Sequence, residues 1–237
     1  QRTAGRRGRG ARLPRPEPGC GLSHILKEIN TITEKLIKIS LCDQQNFPLS
    51  TPIGKDSYKI AYSGMQDLSI ALKNIDYKDI YNELDQDKNY NFKMIDGALV
   101  QLLYTYEKSE LVSHRLAFLP SPFLENFQND PELYETDEIY ADILAKNIVP
   151  VPIRFDYDPK NYKELEHPRC HLTLGQFENC RIPVCSPITP NTFISFILRS
   201  FYNTAFRKFT DKLNLSSKLF DETITVAEKK VLHIAIY

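Results

Sequence analysis

The residues with most chemical potential in this chain are His167, His171, Thr173 and Arg181, within the string His167-Pro168-Arg169-Cys170-His171-Leu172-Thr173-Leu174-Gly175 and the Cys180-Arg181-Ile182-Pro183-Val184 that follows it. Read as a strand, the string alternates between faces, with His167, Arg169, His171 and Thr173 on one side and Cys170, Leu172 and Leu174 on the other. A turn over Gly175–Asn179 leads to a second short strand. Pairing Leu174 with Cys180 sets Leu172 against Ile182 and Thr173 against Arg181, so apolar residues share one face and polar residues the other. Opposed side chains in such a pair lie about 5 Å apart and diagonal ones about 7–8 Å, a span one phosphate can bridge. In that role His171 moves a proton, Arg181 clamps the phosphate and Thr173 adds a hydrogen bond, with His167 or His114 as the second proton-transfer group. Arg169 and Arg154 are further candidate anion-binding groups.

Other chemistries fit less well. Along a strand four residues span about 13 Å, whereas two zinc ligands must each come within about 2 Å of the metal. An extended His167–His171 pair therefore argues against zinc, and no metal is expected. His171-Leu172-Thr173 matches one H-x-T half of a two-histidine phosphodiesterase, but His114-Arg115-Leu116 and His233-Ile234-Ala235 lack the hydroxyl residue of a second half. Arg154, Asp156 and Asp158 share one face of a second strand candidate, Val151–Tyr157. Two such carboxylates could hold Mg²⁺ or serve a nuclease, yet no neighbouring E-x-K completes that set, and an Arg–Asp pair on the sheet surface is the simpler reading. There is no Gly-rich phosphate loop or nucleophile elbow, and no cofactor is expected. The plainest account of the polar face is a sheet with one wet side.

Composition narrows the setting. The 237 residues are 42% hydrophobic, enough for a core. No apolar run has the length of a membrane helix, so no membrane is expected as a partner. The N-terminus lacks the apolar segment of a secretory leader, and five scattered cysteines without a CxxC pair suit reduced thiols, which together suggest a cytoplasmic protein. The net charge of zero hides a split. Residues 1–20 carry six arginines and one glutamate, for +5, leaving 24 basic and 29 acidic groups, or −5, on the remainder. An acidic body argues against a general nucleic-acid coat but leaves room for a local site. Residues 1–21, rich in Gly, Pro and Arg, read as a disordered arm foreign to the domain, and residues 22–237 as one domain.

The elements that must hold these groups follow from periodicity. Ser23 is positioned to N-cap a helix through Ile25, Ile29, Ile32 and Leu36, ending near Leu41. Phe47–Gly64 reads as loop with a short strand at Tyr58–Tyr62; Gln66–Asn74 and Lys78–Leu84 read as short helices. Phe92–Glu107 is a long strand candidate joined by a short turn to Leu111–Leu119. Asp130–Lys146 reads as a helix with an acidic face. Thr189-Pro190 starts a helix with Phe193, Phe196, Ile197 and Phe201 on its core stripe, and Val231–Tyr237 reads as a last strand. The pattern is α+β, a mainly antiparallel sheet with helices packed against one face.

The His167–Gly175 string, Arg181-Ile182-Pro183 and Phe193–Tyr202, with His114–Pro120 and Pro152–Asp158 upstream, resemble an uncharacterised bacterial family, domain of unknown function 2290. The resemblance covers about residues 22–237. It implies a bacterial origin and a gene of sporadic distribution, of the kind found near defence or mobile elements, and brings no activity with it. Two functions remain open: a phosphate-ester or nucleotide-processing enzyme, such as a metal-independent phosphodiesterase or ribonuclease acting on a nucleotide or RNA, and a non-catalytic module whose polar face meets a protein partner.

Overall fold

The apolar periodicity of residues 25–36 does produce the first helix, and the computed structural model shows what that helix covers. The structure describes residues 21–65, 75–123, 142, 151–177, 179–216 and 218–236. Helix α1 (Leu22–Lys38) buries Ile25, Ile29, Ile32 and Leu36. Its N-cap is Gly21 rather than Ser23, because the Gly21 carbonyl already accepts from the amides of His24 and Ile25. It stops before Leu41 because Ser40 turns left-handed, with φ 58°. Leu41 N–H then returns to the Leu36 carbonyl at 3.0 Å, closing the helix in a Schellman-type cap.

Among the described residues, nine strands form one sheet in which every pairing is antiparallel. They are β1 (Cys42–Gln45), β2 (Pro48–Gly54), β3 (Ser57–Tyr62), β4 (Phe92–Met94), β5 (Leu99–Glu107), β6 (Glu110–Leu119), β7 (Ile153–Tyr157), β8 (Cys170–Leu174) and β9 (Ile182–Pro183). The order runs β1-β4-β5-β6-β7-β8-β9, and β3, carrying β2, joins the far half of β5. With helices α2 (Tyr77–Gln86), α3 (Pro190–Phe201) and α4 (Asn203–Leu213), the architecture is α+β.

Several boundaries differ from the sequence reading, each for a local reason. Residues 48–54 form a strand despite Pro48 and Pro52, because β2 pairs only with β3 and an edge strand tolerates missing N–H donors. The long 92–107 candidate is two strands. Gly97, at φ 78°, turns the chain, and Asp96 Oδ1 accepts from Ala98 N–H at 3.2 Å. β5 and β6 meet at a two-residue turn in which Lys108 and Ser109 both have positive φ, the geometry that matches strand twist. The last strand expected over Val231–Tyr237 is not formed by its described residues, 231–236. They make a single parallel bridge, Val184 to Ile234, because β9 ends at Pro183 and the Cys185 carbonyl is taken by the amides of Thr223 and Ile224. Helix α4 was not anticipated. The helices read over 66–74 and 130–146 lie outside the described residues, apart from Asp142, as does the arm over 1–20.

The two faces of the sheet have different fates. One packs Val100, Leu102, Leu116, Phe155 and Leu172 against α1 and α3, with Phe155 edge-on to Phe193 at 6.0 Å. Thr189 caps α3 as the sequence implied, its Oγ1 accepting from Thr192 N–H, with Pro190 in the first turn. The opposite face is covered at one end by α2, whose Ile80, Tyr81 and Leu84 pack on Leu99, Leu103 and Ala117. Beyond that end the opposite face carries the polar residues of β6, β7 and β8.

Candidate functional site

Register builds the site. The pairings set Arg115, Asp156, His171 and Pro183 in one cross-strand row and Ala117, Arg154 and Thr173 in the next. The predicted opposition of Leu172 and Ile182 is present, so Arg181, immediately ahead of β9, falls on the cleft side. The two candidate groups read separately from the sequence, the His171 hairpin and the Arg154–Asp156 pair, are therefore one site.

Asp156 is its hub. Oδ1 accepts from Arg115 Nε at 3.1 Å and Oδ2 from Arg154 Nε at 2.5 Å, while His171 Nε2 lies 3.9 Å from Oδ2. Burial opposes the charge on Asp156, but Arg154, Arg115 and His171 together hold its carboxyl below the ordinary range. Each arginine spends only Nε on Asp156, and a guanidinium has five N–H donors in a planar fork. The carboxylate thus fixes two cationic forks on the face of the sheet.

His171 is 2% exposed, and its Nδ1 lies 2.9 Å from the Pro168 carbonyl. A carbonyl can only accept, so Nδ1 carries the proton and Nε2 presents a lone pair. Burial pushes the imidazole below its ordinary range, against the opposing pull of the Pro168 bond and Asp156. His171 is therefore a neutral base with a fixed tautomer at neutral pH.

These groups line a cleft of about 480 Å³. Lys59, Arg115, Arg154, Lys160 and Arg181 supply five cationic groups to its wall against the carboxylates of Asp156 and Asp158. The Asp158 carboxylate accepts from Asn161 Nδ2 at 2.7 Å, and both Asp156 oxygens are held by arginines, so the two carboxylates do not act as a pair. The cleft is suited to an anion.

The remaining candidates divide. β8 begins at Cys170, so strand alternation does not reach back to His167 or Arg169. His167 is not held away from His171 as an extended chain would hold it. The chain bends at Arg169, and the two rings meet edge to face with centroids 4.7 Å apart. The wide separation of an extended pair is thus absent between His167 and His171; among the described residues, no group of three or more His, Cys, Asp or Glu side chains is arranged to hold a metal. Arg169 leaves the site and lies over the Tyr162 ring at 4.7 Å. His114 belongs to the other face, where its Nε2 accepts from Ile188 N–H at 3.0 Å and burial lowers its pKa to about 4. It is a neutral core histidine and no proton donor to this cleft.

The face is also drier than a solvated sheet surface. Asp156, His171 and Thr173 are all buried, and Thr173 Oγ1 has no hydrogen-bond partner among the described residues. Such a hydroxyl is uncommon in a folded interior. Sequence reasoning missed Arg115, Lys59 and Lys160. Arg115 alternates with Ala117 on β6, a visible signal, but only the β6–β7 register shows that it meets Asp156.

The family model described as uncharacterized conserved protein (DUF2290) matches residues 41–236, which includes every residue of this site. The chain belongs to that family. Helix α1 lies outside the matched residues although it closes the core of the fold. No curated protein and no solved structure matches the chain. Cys42, Cys170, Cys180 and Cys185 are free thiols, and among the described residues no helix is long and apolar enough to cross a membrane.

Proposed function

We propose that the cleft binds a phosphate ester and that His171 and His167 move protons at the phosphorus centre. The observation that carries this reading is the Asp156-anchored pair of guanidiniums beside a histidine whose Nε2 lone pair is fixed by the Pro168 carbonyl. Arg154 and Arg181 would grip non-bridging oxygens through paired hydrogen bonds, with Arg115 behind them and the unpartnered Thr173 hydroxyl as a further donor. His171 Nε2 takes the proton of an attacking hydroxyl as its oxygen bonds to phosphorus. The bond from phosphorus to the leaving oxygen breaks, and that oxygen receives a proton from His167. The nearby Asp156 charge favours the imidazolium that forms on His171. A low-dielectric, positively charged cleft stabilises the added charge on the phosphoryl oxygens.

A second reading rests on the same bond that fixes His171: a histidine tied to backbone and almost fully buried also suits a module that binds without turnover. One assay separates the two. A chromogenic phosphodiester is offered to the wild type and to His171→Ala, while phosphate binding is measured on both. Turnover that falls by roughly 10²–10⁴ in His171→Ala, with binding nearly kept, supports the enzyme. Binding without turnover in the wild type supports the module, and neither binding nor turnover overturns both.

A further inference from the structure

A second cavity, of about 710 Å³, adjoins the first, and Lys160, Asn161, His167 and Arg181 line both. His167 and Arg181 thus stand at the junction of two spaces rather than at the closed end of one. The second space is lined also by Lys163, Tyr162 and Asn179, with Glu166 the one carboxylate on its wall among the described residues. Together the two exceed the range of about 300–1,000 Å³ that holds a typical small ligand.

From this continuity we infer that the ligand is a single strand of nucleic acid several nucleotides long, lying through both cavities with one backbone phosphate at the His167–Arg181 junction. The inference rests on the phosphate reading given above and names its substrate class. A free phosphate or a mononucleotide would leave one of the spaces unused. A strand uses both, because its phosphates repeat along the groove and meet Lys160 at the junction and Lys163 beyond it. Bases stack on aromatic rings and on guanidinium planes alike. Tyr162, on the second cavity, carries the Arg169 guanidinium 4.7 Å above its ring, which makes such a flat surface. That contact also gives Arg169 a place beside the site from which the sheet register removes it. A through-running strand with the histidine pair at mid-groove would be cut internally, not trimmed from an end.

The test compares uridine monophosphate with a uridine hexanucleotide, on the wild type and on Lys163→Ala, with circular dichroism as the folding control. Lys163 lines only the second cavity, and its bridge to His167 is made by backbone atoms. The wild type should bind the hexanucleotide at least tenfold more tightly than the monophosphate. Lys163→Ala should lose most of that gain, reduce the salt dependence of hexanucleotide binding by about 0.7 in log–log slope, and leave monophosphate binding unchanged. A deoxyribose hexanucleotide reports which sugar the groove takes. If the monophosphate binds and the hexanucleotide binds no more tightly, the strand inference falls while the phosphate reading stands. If neither binds, the phosphate reading itself falls.

Discussion

Asp156 Oδ2 and His171 Nε2 face each other across the β7–β8 pair at 3.9 Å, with Arg154 Nε on the same oxygen at 2.5 Å. One buried carboxylate therefore sets the position of two guanidiniums and the electrostatics of the His171 nitrogen that carries the lone pair.

Replacing that carboxylate should be costly. Asp156→Asn leaves two part-buried guanidiniums without their counter-charge, and breaking a buried ion pair this way destabilises by roughly 3–5 kcal/mol. Because the Asp156 pKa is depressed, its contribution is complete above the unfolded carboxylate range, near pH 4, and is lost as pH falls through the folded value. Denaturant titration should thus show a large gap between wild type and Asp156→Asn at neutral pH that narrows in acid. Equal stability at neutral pH would show that the network does not hold the sheet.

Thr173→Val separates packing from binding. The hydroxyl is buried without a partner, so its removal by a side chain of like shape should leave stability unchanged or raise it by up to about 1 kcal/mol. Phosphate affinity should nevertheless fall several-fold. A variant that is destabilised and binds phosphate normally would assign Thr173 to the fold alone.

Glu28 gives a prediction far from the cleft. It is buried at the start of α3, where its Oε2 accepts from Asn191 N–H at 3.2 Å, and burial raises its pKa to about 7. Between pH 4.5 and 7 the native state then binds more protons than the unfolded one, so this group's contribution to stability declines as pH rises. His114, whose pKa is lowered to about 4, acts in the opposite sense between pH 4 and 6.5. His171, also held below its ordinary value by burial, adds to the His114 effect just below pH 6.5, so the comparison with a Glu28 variant, not the wild-type profile, isolates Glu28. Glu28→Gln should gain stability relative to wild type across pH 4.5–7, on the order of 3 kcal/mol in all. A difference independent of pH would show that Glu28 titrates normally.

The hairpin was legible because its chemistry is local. Leu172 opposite Ile182 follows from alternation and a short turn, and so does the burial of Cys170 and Leu172 toward the helices. The cap of α3 was equally local, carried by Thr189 and Pro190. The meeting of Arg115, Asp156 and His171 was not, because it depends on the register of three strands separated by long stretches of chain. His167 departs from the extended reading for a different reason: the chain bends at Arg169, just ahead of β8, and the His167 ring comes back against His171. Arg169 went wrong with it, since its position outside β8 lets it turn to Tyr162.

The most direct measurement of the central claim is histidine-selective NMR of the ¹⁵N-labelled protein during titration with inorganic phosphate. His171 should carry its proton on Nδ1, have a pKa below the ordinary imidazole value, and show a saturable shift of Nε2 as phosphate binds. Arg181→Lys should weaken that saturation about tenfold, because the charge is kept and the paired donor fork is lost. A proton on Nε2, or an Nε2 signal that phosphate never moves while the protein stays folded, would contradict the account.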